Sequence, residues 1–299
     1  MGVANMLIDG VFSGGGIKGF ALIGAYEEVE KKGFQFARLA GTSAGSIIAA
    51  LVTAGYTSKE IYNHLDGLNL KMFMDVGRSL IPFPLAKWLL VYWRMGLYKG
   101  NHLENWLTEK LAAKGLRTFS DLPPHTLRII ASDLTSGQML VLPDDLTKYG
   151  ISQGSFPIAK AIRMSCSLPY FFEPVKLKTP TGTNVVVDGG VLSNFPMWLF
   201  DQDHIKKIRP VLGIKLSNRS QDLPKKNINN AVKLFEALFE TMKNAHDARY
   251  ISRKHEKNII FIPTKGVISF DLQLTEEEKQ ALMVLGRNSA TTFFKTWSY

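Results

Sequence analysis

Three short segments of this chain set chemistry-bearing groups among glycines. Gly41-Thr42-Ser43-Ala44-Gly45 has the spacing G-x-S-x-G. Small neighbours at those positions let a serine occupy a tight strand-to-helix turn with its hydroxyl exposed at the end of a sheet. Gly14-Gly15-Gly16-Ile17-Lys18-Gly19 fits G-x-G-x-x-G, and Asp188-Gly189-Gly190 follows the apolar run Val185-Val186-Val187. A serine hydroxyl is a weak nucleophile at neutral pH. It needs a base within hydrogen-bond reach and, for ester chemistry, donors for the oxyanion that forms.

Two functions compete for the glycine loop. In a nucleotide-binding fold, its glycines would admit a pyrophosphate to the helix N-terminus, and an acid near the end of the next strand would hold the ribose. That strand runs Phe36-Ala37-Arg38-Leu39-Ala40 and ends in Gly41-Thr42-Ser43, without the acid. The other function is an oxyanion hole made by backbone N–H groups of Gly15 and Gly16, with Lys18 adding positive charge. A glycine loop alone would be read as a flexible turn; the serine elbow downstream favours the oxyanion hole.

For the base, the ordinary order along a hydrolase chain is Ser, Asp or Glu, then His. The six histidines are His64, His102, His125, His204, His246 and His255, and each stands in a polar or helical setting. His204 is the best triad candidate, although Asp201 to Lys207 has the composition of a solvated turn. Asp188 is the better base, at the end of an apolar strand where the backbone turns sharply and partial burial would raise its basicity. An Asp-Gly that merely caps a turn is common, so Asp188 gains its weight from the company of Ser43.

The elements that must position these groups follow from periodicity. Leu7 to Phe12 and Phe36 to Ala40 read as strands, with Ile17 to Lys32 and Ala44 to Ala54 as apolar helices behind them. Further strands are expected at Leu127 to Ala131, Met139 to Leu142, Val185 to Val187, Val211 to Leu216 and Ile259 to Ile262. Helices fit Ser58 to Asp66, Leu103 to Lys114, Ile158 to Met164, Ile228 to His255 and Glu276 to Leu285. This alternation predicts an α/β fold, a layered, mostly parallel sheet with helices on both faces and loops at the strand C-terminal ends. No linker or repeat divides the chain, so one domain over 1–299 is expected.

Composition narrows the class. Of the 299 residues, 45% are hydrophobic and 21% charged, as in a folded globular protein. Cys166 is the one cysteine, so neither an intrachain disulfide nor a thiolate metal cage can form. Met1 to Met6 lacks the pattern of a secretory signal, and no apolar run is long enough to span a bilayer, so a cytoplasmic protein is expected. The formal charge of +10 attracts polyanions. Nucleic acid is not the expected partner, because no zinc-finger spacing, ribonucleoprotein motif or dense basic tract is present.

Taken together and in this order, the three segments resemble the patatin-like phospholipase family. The glycine loop Gly14 to Gly19 corresponds to its anion-hole motif, Gly41 to Gly45 to its nucleophile elbow, and Asp188 to Gly190 to its Asp-Gly-Gly motif. Ser132 to Gly137, Ala161 to Pro169 and Asn194-Phe195-Pro196 are similar as well. The motif-bearing core covers about 7–217, and a C-terminal helical extension of about 223–299 matches only in general character. The resemblance implies a serine lipid acyl hydrolase with a Ser-Asp dyad and neither histidine base nor metal. Ser43 would be the nucleophile, Asp188 the general base, and the backbone of Gly14, Gly15 and Gly16 the oxyanion hole. Lys18, Gly19, Gly41, Gly45, Gly189 and Gly190 would support them. Lys18 stands where the family often has arginine, which keeps the charge and gives up the planar fork. A soluble carboxylesterase with a Ser-His-Asp triad and a nucleotide-binding protein are the alternatives.

A phospholipid or glycerolipid substrate has to be reached at a membrane. Along 84–98, Leu85, Trp88, Leu89 and Tyr92 share one helical face and Lys87 and Arg94 lie opposite, a pattern that suits a peripheral docking helix on an anionic membrane surface, and equally a core helix. Val232, Leu234, Phe235, Leu238, Phe239 and Met242 form a second apolar stripe, expected to be core.

Overall fold

A computed structural model of the chain describes residues 6–67, 91–200, 209–217, 228–251, 256–263 and 274–298. Its central element is an eight-stranded sheet in the order β10-β9-β1-β2-β4-β8-β7, with β5 pairing β4 off that path. The strands are β1 (Met6–Phe12), β2 (Phe34–Thr42), β4 (Leu127–Asp133), β5 (Gln138–Leu142), β7 (Val175–Thr179), β8 (Gly182–Asp188), β9 (Val211–Leu216) and β10 (Ile259–Ile262). The run from β10 to β4 is parallel; β5, β7 and β8 pair antiparallel. The fold is therefore the mixed α/β, mostly parallel sheet that the strand and helix alternation predicts.

Parallel strands buried on both faces are apolar at most positions, and the charges that do occur, Asp9 in β1 and Lys215 in β9, are held in ion pairs. Ile8 and Phe12 of β1, Leu212 and Ile214 of β9, and Ile260 and Ile262 of β10 point into the larger core cluster. Their chain neighbours Val11, Val211 and Ile259 join a smaller cluster on the other face with Ala40, Phe195, Met197 and Phe200.

The helices are α1 (Gly19–Lys31), α2 (Ala44–Thr53), α3 (Ser58–Asp66), α4 (Asn101–Ala112), α5 (Ile158–Ser165), α6 (Ala231–Tyr250) and α7 (Glu276–Phe294). The C-terminal segment is tied to the core twice, since β10 extends the sheet beside β9 and α7 lies against α1. α7 also runs beyond the Leu285 that periodicity predicts. Arg287, Asn288 and Ser289 interrupt the apolar pattern, but Phe293 and Phe294 resume it by packing with Phe34 and Trp297.

Two short strands, β3 (Gly96–Tyr98) and β6 (Tyr170–Phe172), pair in parallel away from the main sheet. Three residues carry no alternation, so β3 and β6 are not visible in periodicity, whereas Val175–Thr179 of β7 alternates apolar residues with lysine as a one-sided edge strand does. Residues 84–90, which hold Leu85, Lys87, Trp88 and Leu89, lie outside the described residues, as do His204 and His255. Among the described residues, no helix is long and apolar enough to cross a membrane.

Candidate active site

The register of the sheet brings Ser43 and Asp188 together. β2 pairs β4 up to Thr42 opposite Ile130, and β8 pairs β4 from Asp188 opposite Ala131. Since β5 takes the other edge of β4 over the same stretch, β2 and β8 meet end to end along one edge. The residue that follows Thr42 and the last residue of β8 are thus neighbours, although they are far apart in sequence.

Ser43 is the N-cap of α2 with φ 51° and ψ −126°. A non-glycine residue in that region is strained by about 1–3 kcal/mol, and the turn that imposes it directs the side chain off the sheet end. The flanking glycines make the turn possible. A Cβ on Gly45 would lie 2.4 Å from the Phe12 carbonyl oxygen and 2.5 Å from that of Ser13, and one on Gly41 would lie 2.4 Å from the Gly45 carbonyl oxygen. The Ser43 amide donates to Ser165 Oγ at 2.8 Å, and Ser46 Oγ donates to the Ser43 carbonyl at 2.6 Å.

Asp188 is only 3% exposed. Its amide donates to the Ser167 carbonyl at 2.9 Å, and its Oδ1 accepts the Gly190 N–H at 2.7 Å. Burial pushes its carboxyl up to about 6; a hydrogen bond from the Ser43 side chain, the Gly190 amide and the charge of Lys243 pull the other way without cancelling it. A carboxylate so placed can accept a hydroxyl proton close to neutral pH. Among the described residues, no histidine is among the groups that shift Asp188. Of the described histidines, His64 stacks edge-on against Tyr56 on α3, and His125 is exposed beside Arg128 and Asp144.

The glycine loop runs beside the serine, with the Cβ position of Gly14 3.3 Å from Ser43 Cβ. The three amides differ in availability. Gly14 N–H donates to the Asn194 carbonyl at 3.1 Å, so it is spent within the fold. Those of Gly15 and Gly16 have no acceptor among the described residues. Lys18 is buried, 8% exposed, and takes part in contacts within the protein. Gly19 opens α1 with only Ala44 Cβ, at 3.6 Å, near a Cβ placed there.

Several further residues shape the site from the segments Ala161 to Pro169 and Asn194 to Pro196, where no local pattern gives them a role. Ser165 and Ser167 hold the backbone of Ser43 and of Asp188. Arg163, buried, fixes Ser167 by donating to its Oγ at 2.5 Å and to the Glu173 carbonyl at 2.8 Å. Asn194 places its Oδ1 2.5 Å from the Gly14 Cβ position, a contact only glycine permits. Cys166 lies beside them, its thiol pushed up to about 12 by burial, so it is neutral and inert as a nucleophile. Among the described residues, no three His, Cys, Asp or Glu side chains converge on a metal-sized point.

The α6 stripe divides between two environments. Phe239 is buried, with its ring 3.4 Å from the Gly190 Cβ position, and Phe235 stacks on it and meets Tyr170 edge-on at 5.3 Å. Leu234, Leu238 and Met242, one residue back on the helical wheel, are exposed, which corrects the expectation that the whole stripe is core.

Comparison with known proteins places the chain among relatives of one family and one fold. The family model described as patatin-like phospholipase matches residues 10–201. The protein YqhO of Bacillus subtilis is 56% identical over 294 residues, covering 98% of this chain and 100% of YqhO. The cUMP-AMP-activated phospholipase of Escherichia coli is 26% identical over 195 residues, which are 61% of this chain and 54% of that protein. Among solved structures, VipD from Legionella pneumophila superposes with a TM-score of 0.55 at 16% identity, covering 99% of this chain and 67% of VipD, a likeness of fold.

Proposed function

The chain belongs to the patatin-like phospholipase family, and from that premise we propose that it is a serine lipid acyl hydrolase that releases fatty acid from phospholipid or glycerolipid esters through Ser43 and Asp188. The observation that carries the reading is the sheet register that sets Ser43, on its strained turn, beside the buried Asp188, whose carboxyl burial raises to about 6. In this reading Asp188 takes the Ser43 proton as Oγ attacks the acyl carbon. The tetrahedral oxyanion is met by the Gly15 and Gly16 amides and by the N-terminal end of α2. Collapse breaks the ester bond, and the proton on Asp188 passes to the departing alkoxide. Asp188 then takes a proton from water, whose oxygen attacks the acyl-Ser43; the second collapse frees the fatty acid and returns the proton to Oγ.

Peripheral contact with a lipid surface belongs to the same proposal. Tyr92 and Trp93 are each 76% exposed, just ahead of β3, and the β3–β6 pairing sets Gly96 opposite the exposed Tyr170. Tyr170 touches Phe235, and Leu238 on the same helix is 61% exposed. A rim of aromatic and aliphatic side chains thus runs from the surface to the residues that pack on Gly190, on a protein of charge +10.

The reading is tested by incubating the native protein and Ser43→Ala with mixed phospholipid vesicles and identifying products by mass spectrometry. Free fatty acid with matching lysolipid from the native protein alone supports it. Equal release by both proteins defeats it.

A further inference from the structure

Lys18 of the glycine loop is buried, and a second cation, Lys243, lies near enough to Asp188 for its charge to act on that carboxyl. Phe239, Lys243 and Asp247 follow one another at i, i+4 and i+8 on α6, so they lie on one face of the helix. Both ends of that row are anchored. Phe239 packs on Gly190, next to Asp188, and Asp247 forms a buried ion pair with Lys215 of β9. The residue after Lys215, Leu216, has its side chain against Gly15 and donates its amide to Ser13 Oγ at 2.9 Å. Lys243 is therefore held between the Asp188 turn and the strand end that supports the glycine loop. Its ammonium lies 5.7 Å from the centre of the Phe239 ring, it is half-buried, and no carboxylate pairs with it among the described residues. Asp247 is already committed to Lys215, so the charge of Lys243 is left to act toward the Asp188 turn.

We propose that Lys243 binds the phosphodiester of the substrate, so that the site prefers phosphate-bearing glycerolipids to neutral ones. The inference rests on the lipid hydrolase reading and refines its substrate class. A phosphodiester in a glycerophospholipid lies a few bonds from the scissile ester, and a partly desolvated ammonium is a strong point-charge partner for it. The row of Phe239 and Phe235 below Lys243 then offers the apolar wall along which the lipid enters.

The test uses phosphatidylcholine and diacylglycerol of the same acyl chains in the same neutral detergent micelles, so that net surface charge does not differ. Lys243→Gln is expected to lower the ratio of kcat/KM for phosphatidylcholine over diacylglycerol at least tenfold, and Lys243→Arg to hold it within about threefold of native. Fluorophosphonate labelling of each variant reports whether the site is folded. An unchanged ratio in Lys243→Gln overturns the proposal. So does a parallel loss on both lipids with a displaced acid limb of the pH profile, which would make Lys243 a tuner of Asp188. Loss of the native ratio on adding inorganic phosphate alone would mean a free-phosphate site and would overturn the lipid assignment. If the native protein turns over neither lipid, the hydrolase reading fails and this one with it; turnover of both with an unchanged ratio defeats only this one.

Discussion

The amide of Ser43 donates to the hydroxyl of Ser165 at 2.8 Å, so the strained elbow is held from outside by the end of α5 as well as by its own strand and helix. Ser165→Ala leaves that buried N–H without its acceptor, at a cost of about 1–3 kcal/mol. Because the lost bond orients Ser43 itself, kcat is expected to fall about tenfold while KM stays near native. Steady-state kinetics on a soluble ester, with thermal melting alongside, checks both.

Asp188 sets opposite demands on activity and stability. With its carboxyl raised from 3.8 to about 6, the folded state binds more protons than the unfolded chain between those values. Stability attributable to this group is thus fully present below about pH 4 and is lost as pH rises through about 6. At pH 7 the ionised, buried carboxylate costs on the order of 3 kcal/mol. Asp188→Asn keeps an oxygen for the Gly190 amide and removes the charge, so it should raise the melting temperature by about 2–6 °C at pH 7.5 and lower kcat by about 10³-fold or more. Scanning calorimetry at pH 7.5 and pH 4.5 checks the sign, because the gain should shrink at the lower pH.

The glycines of the motifs are not equivalent. Gly45→Ala drives a methyl into two backbone oxygens that cannot withdraw, and a loss of about 3 kcal/mol or more is expected. Gly19→Ala meets only an ordinary contact at 3.6 Å and sits at a helical φ of −52°, so it should leave stability within about 1 kcal/mol of native or improve it. Denaturant midpoints of the two variants separate these outcomes.

Membrane docking is checked by flotation with phosphatidylglycerol vesicles. Trp93→Glu and Leu238→Glu, both at exposed positions, should each weaken vesicle binding about tenfold and leave hydrolysis of a soluble ester near native. Native binding by both variants would remove the exposed rim from the account.

Much of the site was legible in the sequence because steric demand and chemistry coincide there. A serine between glycines, after a strand and before a helix, has few other reasons to exist, and the Asp-Gly-Gly turn after three valines gives the proposed base its place. The meeting of these segments was not legible, since it depends on β2 and β8 sharing one edge of β4, a pairing that no local pattern encodes. The choice among the three loop glycines was hidden for a similar reason. Gly14 loses its amide to Asn194, a partner distant in sequence. Lys243 carries no local signal in its amphipathic helix, and only Phe239 packing on Gly190 and the Lys215–Asp247 pair give it a direction. The His204 alternative lies outside the described residues and is addressed by experiment.

That experiment is the rate of fluorophosphonate labelling against pH for native protein, Asp188→Asn and His204→Ala, with the modified residue identified by mass spectrometry. The account predicts labelling at Ser43 alone, with a rate that falls below about pH 6, a loss of about 10³-fold in Asp188→Asn, and a native rate in His204→Ala. Labelling of Asp188→Asn at the native rate, with loss in His204→Ala, would contradict it.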